Sequence, residues 1–122
     1  MSRIRSKDTA PELTVRRLLS GAGHRYRLHR KDLPGKPDIV FVSRRKAIFV
    51  HGCFWHQHPR CRLAAKPKSN RGYWGPKLRR NRERDARARR ELRGIGWESL
   101  VLWECEIRRG RHVAKLKKFL DG

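Results

Sequence analysis

The sequence has few acidic residues. Asp and Glu total 11 among 122 residues, against 33 Lys and Arg, so the formal net charge is +22. Natural surfaces mix the two signs more evenly, and a surplus of this size repels itself when the chain compacts. Phosphates would relieve that repulsion, so the composition predicts a polyanionic partner, with nucleic acid first. A surface that is merely soluble is the alternative.

Long hydrophobic runs are also missing. Apolar residues make up 37% of the chain, which allows a small core and predicts a single domain over residues 1–122. No run approaches the roughly 20 apolar residues of a membrane span, and no signal peptide opens the chain. We therefore expect neither secretion nor membrane insertion, and a cytoplasmic location.

Hydrophobic spacing and turn residues predict an α/β protein with the element order α-β-β-β-α-β-α. Residues 1–9 read as a basic arm, and Thr9 with Glu12 forms a capping box that begins the first helix. A segment without periodicity over residues 51–74 reads as a long functional loop. The later elements are three strands at 26–29, 38–42 and 46–50, a helix at 76–93, a strand at 97–105 and a closing helix that contains Val113, Leu116 and Leu120.

Cysteine is scarce, and its three copies cannot form a closed set of disulfides. Residues 51–61 hold two cysteines and three histidines, and Zn²⁺ prefers thiolate and imidazole ligands in a tetrahedral site. Cys53, His58 and Cys61 are close enough in sequence to bind one ion, and Cys105, at the end of the predicted last strand, could complete it. We expect a structural zinc ion that pins the loop, with inert buried cysteines as the alternative.

The histidines outside this set point to chemistry on a phosphate. His51 and His56 could flank a phosphate near Asp38, and histidine suits proton transfer near neutral pH. Asp38 follows Pro37 at the start of a strand, where a carboxylate can hold Mg²⁺. The alternatives are solvated or phosphate-contacting histidines and an aspartate that pairs with a basic side chain.

One face of the helix at 76–93 is apolar apart from two polar residues. The face comprises Leu78, Asn81, Asp85, Ala88 and Leu92. Asn81 and Asp85 are therefore expected to point inward, and an inward aspartate is costly unless it is paired or serves a site. The alternative is that Asp85 only pairs with an arginine at the helix margin.

Aromatic residues flank the basic loop. Phe54, Trp55, Tyr73 and Trp74 could stack on bases or wedge between base pairs. The alternative is that they pack the loop onto the sheet. Trp97 and Trp103 lie on a predicted strand and are expected in the core.

These segments together resemble the very-short-patch-repair (Vsr) DNA mismatch endonucleases over nearly the whole chain. The matching motifs are residues 3–9 (RIRSKDT), 34–38 (PGKPD), 51–58 (HGCFWHQH), Asn81 with 83–85 (ERD), and 103–105 (WEC). The resemblance implies a restriction-endonuclease-like αβββαβ core with a mixed sheet, a zinc-pinned loop and a C-terminal helix.

The resemblance also implies residue roles. Asp38 would bind Mg²⁺ with the backbone carbonyl of Val50, and His56 would be the catalytic histidine, oriented by Asp85. The groups that would hold metal-bound waters or the scissile phosphate are His51, Glu12 and Asn81. The structural zinc ligands would be Cys53, His58, Cys61 and Cys105, and the aromatics that intercalate beside the mismatch would be Phe54, Trp55 and Trp74.

The expected activity is a Mg²⁺-dependent endonuclease that nicks one strand 5′ of the thymine in a T·G mismatch. Such a nick would initiate very short patch repair of deaminated 5-methylcytosine. The expected partner is double-stranded DNA with that mismatch, with accessory mismatch-repair proteins as further candidates, and we expect a monomer in the bacterial nucleoid. The alternatives are a restriction-type enzyme that cuts both strands and a zinc-stabilised DNA-binding module without catalysis.

Overall fold

The computed structural model of the protein describes residues 9–65 and 71–121. The predicted basic arm, apart from Thr9, lies outside the described residues. Helix α1 spans Ala10–Gly21, and Thr9 caps it, because its side-chain oxygen accepts a hydrogen bond from the Glu12 backbone N–H at 3.4 Å. Val15 and Leu19 form its buried face. Thr9 therefore caps the helix where the sequence predicts.

Four strands form one mixed sheet in the order β1-β2-β3-β4. Their bounds are β1 Arg27–Leu28, β2 Ile39–Phe41, β3 Lys46–His51 and β4 Glu98–Trp103. The first three strands pair antiparallel, and β4 pairs parallel to β3 from Lys46 opposite Glu98 to His51 opposite Trp103. A parallel pair needs a long crossover, and this one contains helix α2, which spans Arg71–Gly94.

Helices cover both faces of the sheet. On one face, Val15 and Leu19 of α1 pack with side chains of the sheet and of two C-terminal helices, α3 (Glu104–Arg108) and α4 (His112–Asp121). On the other face, Leu92 of α2 packs against Val40, Ala47 and Phe49, with Trp97 beside them. None of the helices within the described ranges combines the length and apolar character that a membrane crossing requires.

The predicted element order is confirmed except that two helices, α3 and α4, follow β4 where one was predicted, and three boundaries are wrong. The predicted loop over residues 51–74 is too long at both ends, since His51 is the last residue of β3 and α2 begins at Arg71 rather than at 76. Pro76 suggested that the helix starts there, but the helix begins about one turn before it. Trp74, in that first turn, packs against Phe54 and Trp55. These tertiary contacts override the low helix propensity of the glycines in the turn. A 3₁₀ turn at Arg62–Ala64 lies within the same segment.

The third boundary concerns Cys105. It was expected at the end of the last strand, but β4 ends at Trp103 and Cys105 lies in the first turn of α3. The reason is a helix-start contact, in which the Glu106 carboxylate accepts a hydrogen bond from the Trp103 backbone N–H at 3.0 Å.

Candidate active site and metal centre

Asp38 immediately precedes β2, beside the C-terminal part of β3, and a close-packed turn holds it there. Gly35 has a φ of +77°, and a Cβ there would lie 2.6 Å from the Ala88 Cβ of α2 and 3.0 Å from the Phe49 ring. Glycine therefore allows the turn to lie directly against α2 and β3. Asp38 donates its backbone N–H to the Ile48 carbonyl at 3.1 Å, and its carboxylate accepts the Val50 N–H at 2.7 Å.

The surroundings of Asp38 make its charge costly. Burial raises the pKa of Asp38 to about 6, the Val50 N–H partly opposes this, and the nearby Glu12 raises it further. The group is therefore still ionised at pH 7 but protonated at pH 5. A cation that binds beside this carboxylate therefore stabilises its ionised form.

Glu12 and His29 complete a cluster with Asp38. The Glu12 side chain is 1% exposed and lies 2.8 Å from His29 Nε2, and one ligand atom from each of the three residues lies within 4.8 Å of the others. His29 was not among the site residues predicted from the sequence. The only available signal was its place at the end of a short strand, where it donates its backbone N–H to the Asp38 carbonyl at 3.0 Å.

Two histidines and an aspartate form a second cluster. His56 Nδ1 lies 2.6 Å from Asp85 Oδ2, and the ring of His56 stacks on that of His51 with centroids 3.7 Å apart and planes 4° apart. His51 was expected on a loop, but it is buried in β3. Burial lowers the pKa of His51 to about 3, so this ring is neutral at physiological pH.

The two clusters open into one cavity of about 360 Å³. Asp38, His51, His56 and Asp85 line it, together with His29. Its basic wall consists of Lys31, Lys36, Arg84 and Arg89. A cavity with carboxylates, imidazoles and a cationic rim suits a phosphodiester that arrives with a metal ion.

Asn81 points inward as predicted but lies apart from this cavity. Its amide donates a hydrogen bond to the Trp55 backbone carbonyl at 3.1 Å, which ties α2 to the loop that carries His56. Glu12 likewise does not line the cavity and contacts it through His29 and Asp38.

The predicted zinc ligands lie together. Ligand atoms of Cys53, His58, Cys61 and Cys105 are all within 4.8 Å of one another. His58 Nδ1 is 3.7 Å from the Cys53 sulfur and 3.4 Å from that of Cys105. Tetrahedral zinc with Zn–S near 2.3 Å and Zn–N near 2.0 Å would separate such ligand atoms by about 3.5 Å. The cluster is therefore consistent with a structural zinc ion.

The surroundings of the cluster also fit a metal ion. Burial raises the pKa of Cys53 to about 12, so a thiolate there needs a cation beside it. The Cys105 backbone N–H donates to the Cys53 sulfur at 3.4 Å, and the His58 ring stacks on Trp103 with centroids 4.2 Å apart. An ion at this point would join the loop to the end of β4 and to α3.

The aromatic residues form a cluster beside the loop. Phe54, Trp55 and Trp74 contact one another edge-on, with centroid distances of 5.1–5.6 Å, and all three are half-buried. Tyr73 extends the cluster and is 60% exposed, and the Lys77 ammonium lies 5.4–6.0 Å from three of these rings. The cluster packs the loop on α2 while presenting aromatic and cationic groups to solvent.

The sequence of the chain is similar to those of several known DNA-cleaving enzymes. Residues 1–62 match the family model described as DNA mismatch endonuclease Vsr. The type II nicking enzyme V.XorIIP of Xanthomonas oryzae pv. oryzae is 53% identical over 122 residues, covering 99% of this chain and 89% of that protein. The DNA mismatch endonuclease Vsr of Escherichia coli is 42% identical over 108 residues, covering 88% and 69%. The type II nicking enzyme V.NmeAIP of Neisseria meningitidis is 44% identical over 108 residues, covering 88% and 76%.

Proposed function

The chain belongs to the Vsr DNA mismatch endonuclease family and is a DNA nicking endonuclease, and we propose that it cuts one strand 5′ of the thymine in a T·G mismatch with Mg²⁺ as cofactor. Such a nick would start the very short patch repair of deaminated 5-methylcytosine. The observation that carries the proposal is the shared cavity of Asp38, His56 and Asp85 under a basic rim. A module that only binds DNA would gain nothing from a buried carboxylate whose ionisation is costly.

Asp38 and the Val50 carbonyl would hold the Mg²⁺ ion. The Ile48 carbonyl accepts the Asp38 N–H. Because backbone carbonyls two residues apart on a strand point the same way, the Val50 carbonyl would lie on the same side of β3 as Asp38. Hard oxygen ligands of this kind are those that Mg²⁺ prefers. When bound, the ion would stabilise the negative charge that develops on the phosphate and the leaving oxygen.

His56 would take the proton of the attacking water. Its Nδ1 is engaged by Asp85, which leaves Nε2 as the proton acceptor while the water oxygen bonds to phosphorus and the bond to the leaving oxygen breaks. Asp85 then stabilises the imidazolium and keeps the ring oriented. His51 stacks beneath and stays neutral, so it does not repel that charge.

Four further parts of the chain would support the reaction. Glu12 would hold a water of the metal ion beside Asp38, and Asn81 would fix the loop through Trp55. A structural zinc ion on the Cys/His cluster would anchor the same loop, inside one restriction-endonuclease-like domain. The rings of Phe54, Trp55 and Trp74 would insert beside the mismatch, where a mispaired step costs less to open.

A circular duplex with or without one T·G pair tests the proposal. Parent protein with Mg²⁺ should convert the mismatched circle to the nicked form and leave the matched circle closed, and Asp38→Asn should abolish nicking while DNA affinity is kept. Asp121→Asn makes the same charge change at an exposed site and serves as the matched control. Linear product would favour the restriction-type reading, and binding without any cleavage would favour the DNA-binding module.

A further inference from the structure

His29 places an imidazole beside the carboxylates of Glu12 and Asp38. The proposed mechanism uses Asp38 and Glu12 and leaves His29 without a role. Its Nε2 lies 2.8 Å from Glu12 Oε2, and ligand atoms of all three residues are within 4.8 Å of one another. Octahedral bonds of about 2.1 Å put neighbouring ligand atoms about 3 Å apart, so the spacing fits two ligands of one ion.

The backbone holds the His29 ring in place. His29 has a φ of +50°, which is uncommon for residues other than glycine, and its N–H is bonded to the Asp38 carbonyl. Its side chain is 23% exposed and lines the cavity, while Glu12 is buried behind it. The ring is thus open to a solute in the cavity and backed by two carboxylates.

The chemical nature of the three groups decides which cation they suit. Carboxylates alone suit Mg²⁺, Ca²⁺ and Mn²⁺, whereas an imidazole nitrogen raises affinity for transition ions relative to Mg²⁺. A site with two carboxylates and one imidazole therefore favours a divalent transition ion that also accepts oxygen ligands, of which Mn²⁺ is the closest to Mg²⁺ in its chemistry.

We propose that Glu12, His29 and Asp38 form a site for a divalent transition ion of the Mn²⁺ type, and that His29 is the ligand that selects it over Mg²⁺. The inference deepens the proposed function and rests on it where Asp38 is shared between the two cations. Mn²⁺ binding can be measured without DNA and without turnover, so the two proposals can fail separately.

A Mn²⁺ titration of the zinc-loaded protein, followed by electron paramagnetic resonance of the free ion, tests the site directly. We expect one Mn²⁺ per chain and at least a tenfold loss of affinity in His29→Gln, which keeps a polar side chain but lacks the imidazole. His24→Gln is the matched control, because His24 lies outside the cluster and contacts the Phe41 ring, and it should bind as the parent does.

The His51, His56 and Asp85 cluster is the competing location for the ion. His56→Ala should therefore keep Mn²⁺ affinity within about threefold if the proposal is correct. Parent-like binding by His29→Gln with parent zinc content and melting temperature would overturn it, and so would loss of binding in His56→Ala alone. In nicking assays, the ratio of Mn²⁺- to Mg²⁺-supported rates should fall at least tenfold in His29→Gln. Absence of nicking in the parent would refute the proposed function and leave the binding result decisive for this site.

Discussion

Replacing Asp38 by asparagine should make the protein more stable while it removes the activity. The folded protein raises the pKa of Asp38 from 3.8 to about 6. The folded state therefore binds more protons than the unfolded state between these values, and this group's contribution to stability falls as pH rises. The difference of about 2.2 pKa units corresponds to about 3 kcal/mol above pH 6.

Asparagine resembles protonated aspartic acid and has no charge, so it does not carry the free-energy cost of burying a carboxylate. The stability difference between Asp38→Asn and the parent should grow from about 1.5 kcal/mol at pH 5 to about 3 kcal/mol at pH 7. Urea denaturation without Mg²⁺ at both pH values measures it. Asp121→Asn also raises the net charge by one, and as an exposed substitution it should change stability by less than about 0.5 kcal/mol.

Added Mg²⁺ should reduce the stability difference between Asp38→Asn and the parent. At the proposed site the ion would bind the folded parent through Asp38 and stabilise it, whereas the asparagine variant should respond much less. An Asp38→Asn protein that is less stable than the parent at pH 7, or a difference that does not depend on pH, would refute the reasoning that burial makes this charge costly.

Three further predictions concern the other parts of the site. Cys105→Ser should lose zinc, measured by elemental analysis, and lower the free energy of unfolding by more than about 3 kcal/mol, because the ion would join the loop to α3; full zinc content in this variant would contradict the assignment. His56→Ala should slow the chemical step by about 10²–10⁴ in single-turnover nicking, the usual range for a positioned acid or base, and a parent-like rate would exclude it as the proton acceptor. Trp55→Ala should reduce cleavage at T·G sites far more than binding to matched duplex while zinc is retained; undiminished preference for T·G would remove the wedge role, and loss of zinc would show that Trp55 only packs the loop.

Local signals in the sequence predicted much of the fold. Thr9 as the N-cap predicted the start of α1, and the helical period correctly predicted that Asn81 and Asp85 face the protein. The zinc ligands could be proposed because three of them are close in sequence and Cys105 is the remaining cysteine. Apart from Cys105, each of these features depends on residues within one element or one short segment.

The remaining features depend on contacts between distant segments. His29 meets Glu12 only because β1 pairs with β2 and α1 packs beneath them, and no spacing rule connects these residues. His51 is buried because β4 pairs with β3 up to Trp103, a register that periodicity does not reveal. The extra turn of α2 likewise depends on Trp74 packing against a loop far away in the sequence.

The parallel pairing of β3 with β4 sets the order in which the chain can fold. The hairpin of β2 and β3 closes a short turn, but β4 must pair with β3 after the loop that holds Cys53, His58 and Cys61 and after α2. Closing so long a loop costs entropy before any contact repays it, which makes such pairs slow to form. Cys53 and Cys105 each follow one of the two strands, and their contact closes the same loop. Metal supply would therefore govern how fast newly made chains acquire a working site, as well as how long that site survives.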